Sequence, residues 1–495
     1  MKPSAEKPGD AGARPSGGRG ADASSSDART AAARSGNPTG VRRTVLEALL
    51  EAESSKRFID DILAPRLAEF RERDRRLVQE IAYGVLRHRN TLDRLVDFYL
   101  KHPVPRQKPP VAWALRAGAY QLVYLERIPA HAAVNQTVEA LKTSTLVGTG
   151  EVGFVNAVLH KLSEDVRRKT EEPPGDPHDP TALPVRRGYC HFSRPVLPLR
   201  TLDPVGHLAF KLSHPPWLVK RWLARYGEEE TQKLCARNNI TPPITARVTR
   251  RAPSRDELLA ALRTEGWQAS PGSLENSILI EKCGAFQDSE AFRKGWFQVQ
   301  DLTAIQIGEA LKPPPGARAL DLCAAPGTKS AQILEAIGPE GRLVATDRTE
   351  EKLALLRETL AKVGSNFSTA LVSEEPERIE LGERFSHILV DAPCSNTGVL
   401  ARRPEARWRV RSGDLAELAK LQLALLEAAL RHLEPGGRLV YATCSIEPDE
   451  NENVVAEFFA RNPGLVELDT RLFLPHRSEG DGGFYSLILH SRAAS

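Results

Sequence analysis

The sequence predicts a multidomain chain: an all-α bundle, then a small α+β lobe, then an α/β domain in which strands and helices alternate. Three observations carry that prediction. At 495 residues the chain is too long for one core. Its apolar residues recur at helical spacing in the first third and alternate between strand and helix patterns in the last. Prolines and glycines gather between these regimes. With 41% hydrophobic and 27% charged residues the composition is that of a globular protein. There is no apolar leader and no run of eighteen uncharged apolar residues, so a cytoplasmic chain with no membrane partner is expected.

Residues 1–40, rich in Gly, Ala, Ser, Pro and Arg, bury too little to offset the entropy of ordering and are expected to form a disordered tail. Residues 41–166 read as helices. AHAAVNQTVEALK shows the pattern, with Val134, Val138 and Leu141 on one face, while prolines at 103, 105, 109, 110 and 129 punctuate the runs. Taken singly, Tyr120 and His131 read as packing residues. Residues 167–205 hold eight prolines and show no period, which marks a linker or insertion. Residues 206–285 mix helices with the strands PPITARVTR and NSILIEK. The helix between those strands has a capping box, Ser254 followed by Glu257. Residues 286–495 form the last unit, settling from about Trp296 into the alternation that builds a parallel sheet with helices on both faces.

Charge is uneven along the chain. The net value is +4, yet residues 301–495 carry 22 Lys and Arg against 29 Asp and Glu, so the basic surplus lies upstream. If a polyanion binds, the first three hundred residues are expected to supply much of the phosphate contact. The six cysteines, Cys190, Cys235, Cys283, Cys323, Cys394 and Cys444, show no CxxC pair, so neither disulfides nor metal sites are expected. Cys190, Cys235 and Cys283 read as buried packing.

In an α/β sheet, ligands bind at the carboxyl ends of the strands. Asp321, Asp347, Asp391 and Cys444 all fall there. In LDLCAAPGTKS an acid ends the first strand, and Cys323, Ala324, Ala325, Pro326, Gly327, Thr328 and Lys329 lead into a helix whose amides suit a carboxylate. Asp347, ending the second strand, stands at the separation at which a carboxylate takes a ribose hydroxyl pair. Together these features describe a pocket for S-adenosylmethionine. A phosphate loop is disfavoured because Thr328 stands where Gly must precede Lys329 and Cys323 where an earlier Gly is required. A dinucleotide site requires three glycines, and this loop has one.

VDAPCSNTGVL and YATCS each end an apolar run in a cysteine followed by serine. Carbon 5 of cytosine is too poor a nucleophile to take a methyl group directly. A thiolate added at carbon 6 activates it, and a second thiol nearby assists expulsion of the first. From the residues alone, the roles of Cys394 and Cys444 are interchangeable. The run ARRPEARWRVR offers Arg402, Arg403, Arg407 and Arg409 to phosphates, and Trp408 either to a base or to the core.

LDLCAAPGTKS, VDAPCSNTGVL, YATCSIEPDENEN and DGGFYSLIL resemble the NOP2/Sun family of RNA cytosine-5 methyltransferases. IAYGVLRHR, AYQLVYLERIPAHAAVNQ and GFVNAVL resemble NusB-like RNA-binding domains, which narrows the likeness to the bacterial RsmB (Sun) subgroup acting on 16S ribosomal RNA. The basic residues of ARVTRR suggest a small RNA-facing lobe, and the resemblance implies a NusB-like bundle before it and a Rossmann-like class I methyltransferase domain after it. Within that domain it implies Cys444 as nucleophile, Cys394 assisting release, and Asp391 bordering cofactor and target base. Asp347 would hold the ribose, and the loop of residues 323–329 the methionine end. The chain departs from the family pattern at Gly327-Thr328-Lys329, at LVSEEPE, where Glu374 is the best candidate for the adenine-side acid, and at DGGFY. RNA is the expected partner, with no DNA and a monomeric state. Transfer RNA methylation and a non-catalytic ribosome-assembly role are the rival readings.

Overall fold

The computed structural model describes residues 38–491, apart from 56, 145 and 146. Seven helices build its front end: α1 (Pro38–Ser55), α2 (Ile59–Leu67), α3 (Glu72–Arg87), α4 (Arg89–Asp97), α5 (Pro109–Tyr124), α6 (Ala130–Lys142) and α7 (Thr149–Asp165). Of the tail read over residues 1–40, residues 1–37 lie outside the described residues, and 38–40 already belong to α1. Prolines sit where a missing N–H costs least, opening α5 and preceding α6. Buried from Pro110 to Tyr124, α5 is the bundle's axis, and α7 packs closely because a Cβ at Gly118 would lie 2.3 Å from Leu159. A helical run over residues 75–100 breaks at His88, whose φ of −103° and ψ of 16° turn α3 into α4. Tyr120 is buried and stacks on Tyr124 at 5.2 Å, whereas His131 is exposed and does not pack as expected.

Residues 167–205 are not a structureless linker. β1 (Val166–Thr170), β2 (Ala182–Val185) and β3 (Gly188–Phe192) form an antiparallel sheet in the order β1-β3-β2. Leu183, Cys190, Phe192, Val196 and Leu197 extend the bundle's core. Strands of four and five residues are too short to show a period among eight prolines. Next come α8 (Pro204–Lys211), N-capped by Asp203 accepting from the Gly206 N–H at 2.7 Å, and α9 (Pro216–Asn238). Their Leu208, Leu212, Val219 and Trp222 pack with Leu400, Ala406, Ile446 and Leu474, bridging to the C-terminal domain.

The small lobe comprises β4 (Ile244–Val248), α10 (Arg255–Thr264), β5 (Gln268–Pro271), β6 (Ser277–Lys282) and β7 (Phe297–Val299). Its sheet is antiparallel in the order β5-β6-β4-β7, so the lobe takes a strand from beyond residue 285. Ser254 caps α10 as expected, its Oγ accepting from the Glu257 N–H at 3.1 Å.

The C-terminal domain runs α11 (Leu302–Ala310), β8 (Arg318–Asp321), α12 (Thr328–Ile337), β9 (Arg342–Asp347), α13 (Glu350–Ala361), β10 (Phe367–Leu371), β11 (Phe385–Asp391), α14 (Asp414–Arg431), β12 (Leu433–Thr443), α15 (Glu452–Arg461), β13 (Leu465–Phe473) and β14 (Gly483–His490). The sheet order is β10-β9-β8-β11-β12-β14-β13. β10 to β12 are parallel, but β14 is antiparallel to both its neighbours, so the sheet is mixed where a parallel one was expected. β14 follows β13 through a loop rather than a crossover helix, which permits antiparallel pairing. Apolar cores cover both faces. From β8 the chain winds outward through β9 to β10, then returns past β8 to β11 and β12. That reversal opens a crevice at the carboxyl ends of these strands.

Candidate active site

The crevice holds a cavity of about 540 Å³, reached by residues at or just beyond the ends of β8, β9, β10, β11 and β12 and, unexpectedly, by Phe58 of the bundle. β8, β9 and β11 each end in an acid that lines it: Asp321, Asp347 and Asp391. The loop after β8 is tied to β9, since the Ala325 N–H donates to Asp347 Oδ2 at 3.2 Å. Gly327, at φ 102°, caps α12, and a Cβ there would meet Leu356 at 2.8 Å, so the turn requires glycine. Cys323, Ala324, Ala325, Pro326, Thr328 and Lys329 line the wall. Burial pushes the Cys323 thiol far up, which makes it inert.

The three acids differ in environment. Asp347 Oδ1 accepts from the Arg348 N–H at 2.7 Å and Lys352 Nζ at 2.9 Å. Asp321 is buried; its Oδ2 accepts from Ser330 Oγ at 2.6 Å, while Oδ1 has no partner among the described residues. Burial chiefly pushes Asp321 up to about 7. Asp391 Oδ2 pairs with Lys329 Nζ at 2.6 Å. Burial opposes the Lys329 charge, but Asp391 first and then Cys444 outweigh it and raise its pKa. Glu374 is exposed on the rim beside Val372 and Ser373. The donor set fits a cofactor with an ammonium for the orphan oxygen of Asp321, hydroxyls for Asp347, and a flat ring for the apolar wall of Val372, Ile379 and Leu425. Among the described residues, no cluster of three or more His, Cys, Asp or Glu could hold a metal.

Fifty residues apart in sequence, Cys394 and Cys444 follow adjacent parallel strands in which Asp391 pairs with Ala442. Their Sγ atoms lie 2.9 Å apart, beyond the ~2.05 Å of a disulfide. The hydrogen bond to Cys444, then burial, raises the Cys394 thiol well above the ordinary range, so it keeps its proton at neutral pH. Cys444 Sγ donates to Asn396 Oδ1 at 3.2 Å, and Asn396 Nδ2 donates to the Cys394 carbonyl at 2.9 Å. Asn396 occupies the left-handed region, φ 63°, a conformation asparagine tolerates better than most residues.

Glu450, fully buried, clamps the two cysteine turns together. Its Oε1 accepts from the Ser395 N–H at 2.8 Å and Gln422 Nε2 at 3.0 Å; its Oε2 accepts from Ser445 Oγ at 2.5 Å and from Ser395 Oγ. Gly398 donates to the Cys444 carbonyl at 2.9 Å and sits so close to Gly482 that a Cβ would fall 2.5 Å from its backbone. The paired glycines of DGGFY are therefore part of the packing. Neither Glu450 nor Asn396 was singled out in the sequence, although both stand inside the motif strings.

The run ARRPEARWRVR does not form a phosphate-binding face. Arg407 is buried and donates to the carbonyls of Arg87, Ser213, Asn238 and Leu400 and to Asn239 Oδ1, while burial pushes its pKa down to about 9. Trp408 Nε1 donates to the Leu86 carbonyl at 2.6 Å, and Arg409 reaches the carbonyls of Ala52 and Arg57. Arg402 pairs with Asp301 and Asp481. Arg407, Trp408 and Arg409 thus dock the bundle and bridge onto the C-terminal domain.

Family models match in three parts: the NusB family over residues 39–164, the Methyltr_RsmF/B-like ferredoxin-like domain over 214–287, and 16S rRNA methyltransferase RsmB/F over 308–489. Ribosomal RNA small subunit methyltransferase B of Klebsiella pneumoniae subsp. pneumoniae is 32% identical over 91% of this chain and 98% of its own. The probable ribosomal RNA small subunit methyltransferase B of Bacillus subtilis is 32% identical over 90% of this chain and 98% of its own. The solved structure of PH0851, 23% identical, shares the fold with a TM-score of 0.74 over 91% of this chain and 98% of that one. A methyltransferase homolog protein from Pyrococcus horikoshii, 25% identical, gives a TM-score of 0.52 over 58% of this chain and 98% of that one. With such likeness running through the bundle, the lobe and the cavity-bearing sheet, the chain belongs to the RsmB/F family of 16S rRNA methyltransferases.

Proposed function

We propose that the protein transfers a methyl group from S-adenosylmethionine to carbon 5 of a specific cytosine in 16S ribosomal RNA through a transient bond between Cys444 and carbon 6. The observation that carries this reading is the meeting of two thiols and a Lys–Asp pair in the cavity that also holds the cofactor-type loop. S-adenosylmethionine supplies the electrophilic methyl group. Residues 323–329 take its methionine end, with Asp321 Oδ1 receiving the ammonium. Asp347 takes the ribose hydroxyls, Glu374 stands on the adenine side, and Asp391 borders both cofactor and base.

Lys329, paired with Asp391, lines the same cavity as Cys444 and sets a positive charge in the site. Cys444 Sγ bonds to carbon 6 of the cytosine, and the displaced ring electrons make carbon 5 nucleophilic enough to accept the methyl group. The carbon 5 proton is then lost to solvent, the carbon–sulfur bond breaks, and its electrons return to Cys444. Cys394, kept protonated, donates a proton to the departing sulfur. The raised Cys394 thiol supports its part as proton donor, while the choice of Cys444 as nucleophile rests on the resemblance, since the residues alone leave the roles interchangeable.

Bisulfite sequencing of ribosomal and transfer RNA from a deletion strain tests the target. One methylcytosine is expected to vanish from 16S RNA. Loss from transfer RNA instead would reassign the substrate, and no loss anywhere would leave a non-catalytic role.

Asp321 yields a pH prediction. Its folded pKa of about 7 lies above the ordinary 3.8, so with no cation beside it the group favours folding below about pH 4, and that contribution falls as pH rises to about 7. A bound ammonium reverses the preference. Calorimetry is expected to show S-adenosylmethionine binding tightening between about pH 6 and 8 with proton release, and Asp321→Asn is expected to flatten the profile.

A further inference from the structure

Arg403 stands apart from its neighbours. Arg402, Arg407 and Arg409 all use their guanidinium groups on internal partners, whereas Arg403 is exposed and forms no ion pair among the described residues. Among the described residues its guanidinium hydrogen-bonds, at 3.5 Å, to Asn396 Oδ1, the atom that also accepts from Cys444 Sγ. Its guanidinium carbon lies 4.3 Å from the ring centroid of Phe58. Phe58 belongs to the bundle, in the turn before α2, and lines the same cavity as both cysteines. That turn is held in place because the Ile59 N–H donates to the buried Glu405 Oε1 at 2.7 Å, and Arg409 approaches the same ring at 5.3 Å.

We infer that Phe58 and Arg403 form a base-stacking subsite at the mouth of the cavity, in which the helical domain braces the guanidinium so that its open face receives the base of an RNA nucleotide. The inference rests on the RNA methyltransferase reading. An exposed, planar cation backed by an aromatic ring is suited to a nucleobase, because stacking and cation–π attraction act on the same plane and need no sequence-specific hydrogen bond. The bond to Asn396 connects this plane to the turn that holds the nucleophile. Phe58 is thus a positioning residue contributed by a domain that carries none of the reacting groups.

The test uses the full chain, an RNA substrate that the wild-type protein methylates, and the variants Phe58→Ala, Phe58→Tyr, Arg403→Ala and Arg403→Lys. Phe58→Ala and Arg403→Ala are expected to lower kcat/KM for RNA about tenfold or more, with S-adenosylmethionine affinity unchanged. Phe58→Tyr is expected to remain within about threefold of wild type because it keeps the ring. Arg403→Lys is expected to fall as far as Arg403→Ala because an ammonium has no plane to stack. Wild-type rates in Phe58→Ala, full activity in Arg403→Lys, or a parallel loss of S-adenosylmethionine binding would each overturn the subsite while leaving the enzymatic reading intact. A wild-type chain that methylates no RNA would overturn the enzymatic reading and the subsite with it.

Discussion

Cys444→Ser is expected to lower methyl transfer by on the order of a thousandfold or more, because a hydroxyl at that position is a far weaker nucleophile toward carbon 6. Binding of S-adenosylmethionine is expected to survive, since the cofactor-type residues lie on β8, β9 and β11 and in the loops after β8 and β10. Cys394→Ala is expected to fail at the opposite end of the reaction. Carbon–sulfur bond formation and methyl transfer proceed, but the departing sulfur lacks its proton donor, so protein joined covalently to RNA accumulates. Denaturing gels of each variant incubated with RNA and cofactor distinguish the two. An adduct formed by Cys444→Ser and not by Cys394→Ala would reverse the assignment.

The second large effect is expected at Glu450. Its carboxylate is buried and accepts four hydrogen bonds from Ser395, Gln422 and Ser445. Glu450→Ala would leave these donors unpaired, and each unmade bond costs about 1–3 kcal/mol. Because water entering the cavity relieves part of this, the net loss in stability is expected to be about 3 kcal/mol, read from denaturant unfolding. The two cysteine turns then lose their common anchor, so activity is expected to fall further than Glu450→Gln would lower it. Unchanged unfolding of Glu450→Ala would show that the clamp is not needed to hold the turns.

Features written in local patterns were legible in the sequence. α6 was visible as AHAAVNQTVEALK, α10 from Ser254 and Glu257, and the placing of Asp321, Asp347, Asp391 and Cys444 from strand–helix alternation. The antiparallel β14 was not legible, because a strand's direction depends on its connection and not on its residues. Glu450 escaped for a related reason. In EPDENEN it is one polar residue among several, and its burial arises only when the turns at 395 and 445 close over it. Arg407 misled in the other direction: a basic run reads as a nucleic-acid face until tertiary packing supplies peptide carbonyls as partners, and the same packing takes Trp408, which the sequence left open between a base and the core.

Arg407 also bears on how this chain is divided. A guanidinium buried among oxygens from α3, the bridge helices and the loop after β11 behaves like an ion in a cage whose bars come from different parts of the molecule. Excising the front 165 residues would remove one bar and open that cage to water beside the cysteine turn. The catalytic half is therefore not a detachable cassette, and transplanting it onto another RNA-binding module would require rebuilding the seam that Arg407 now closes.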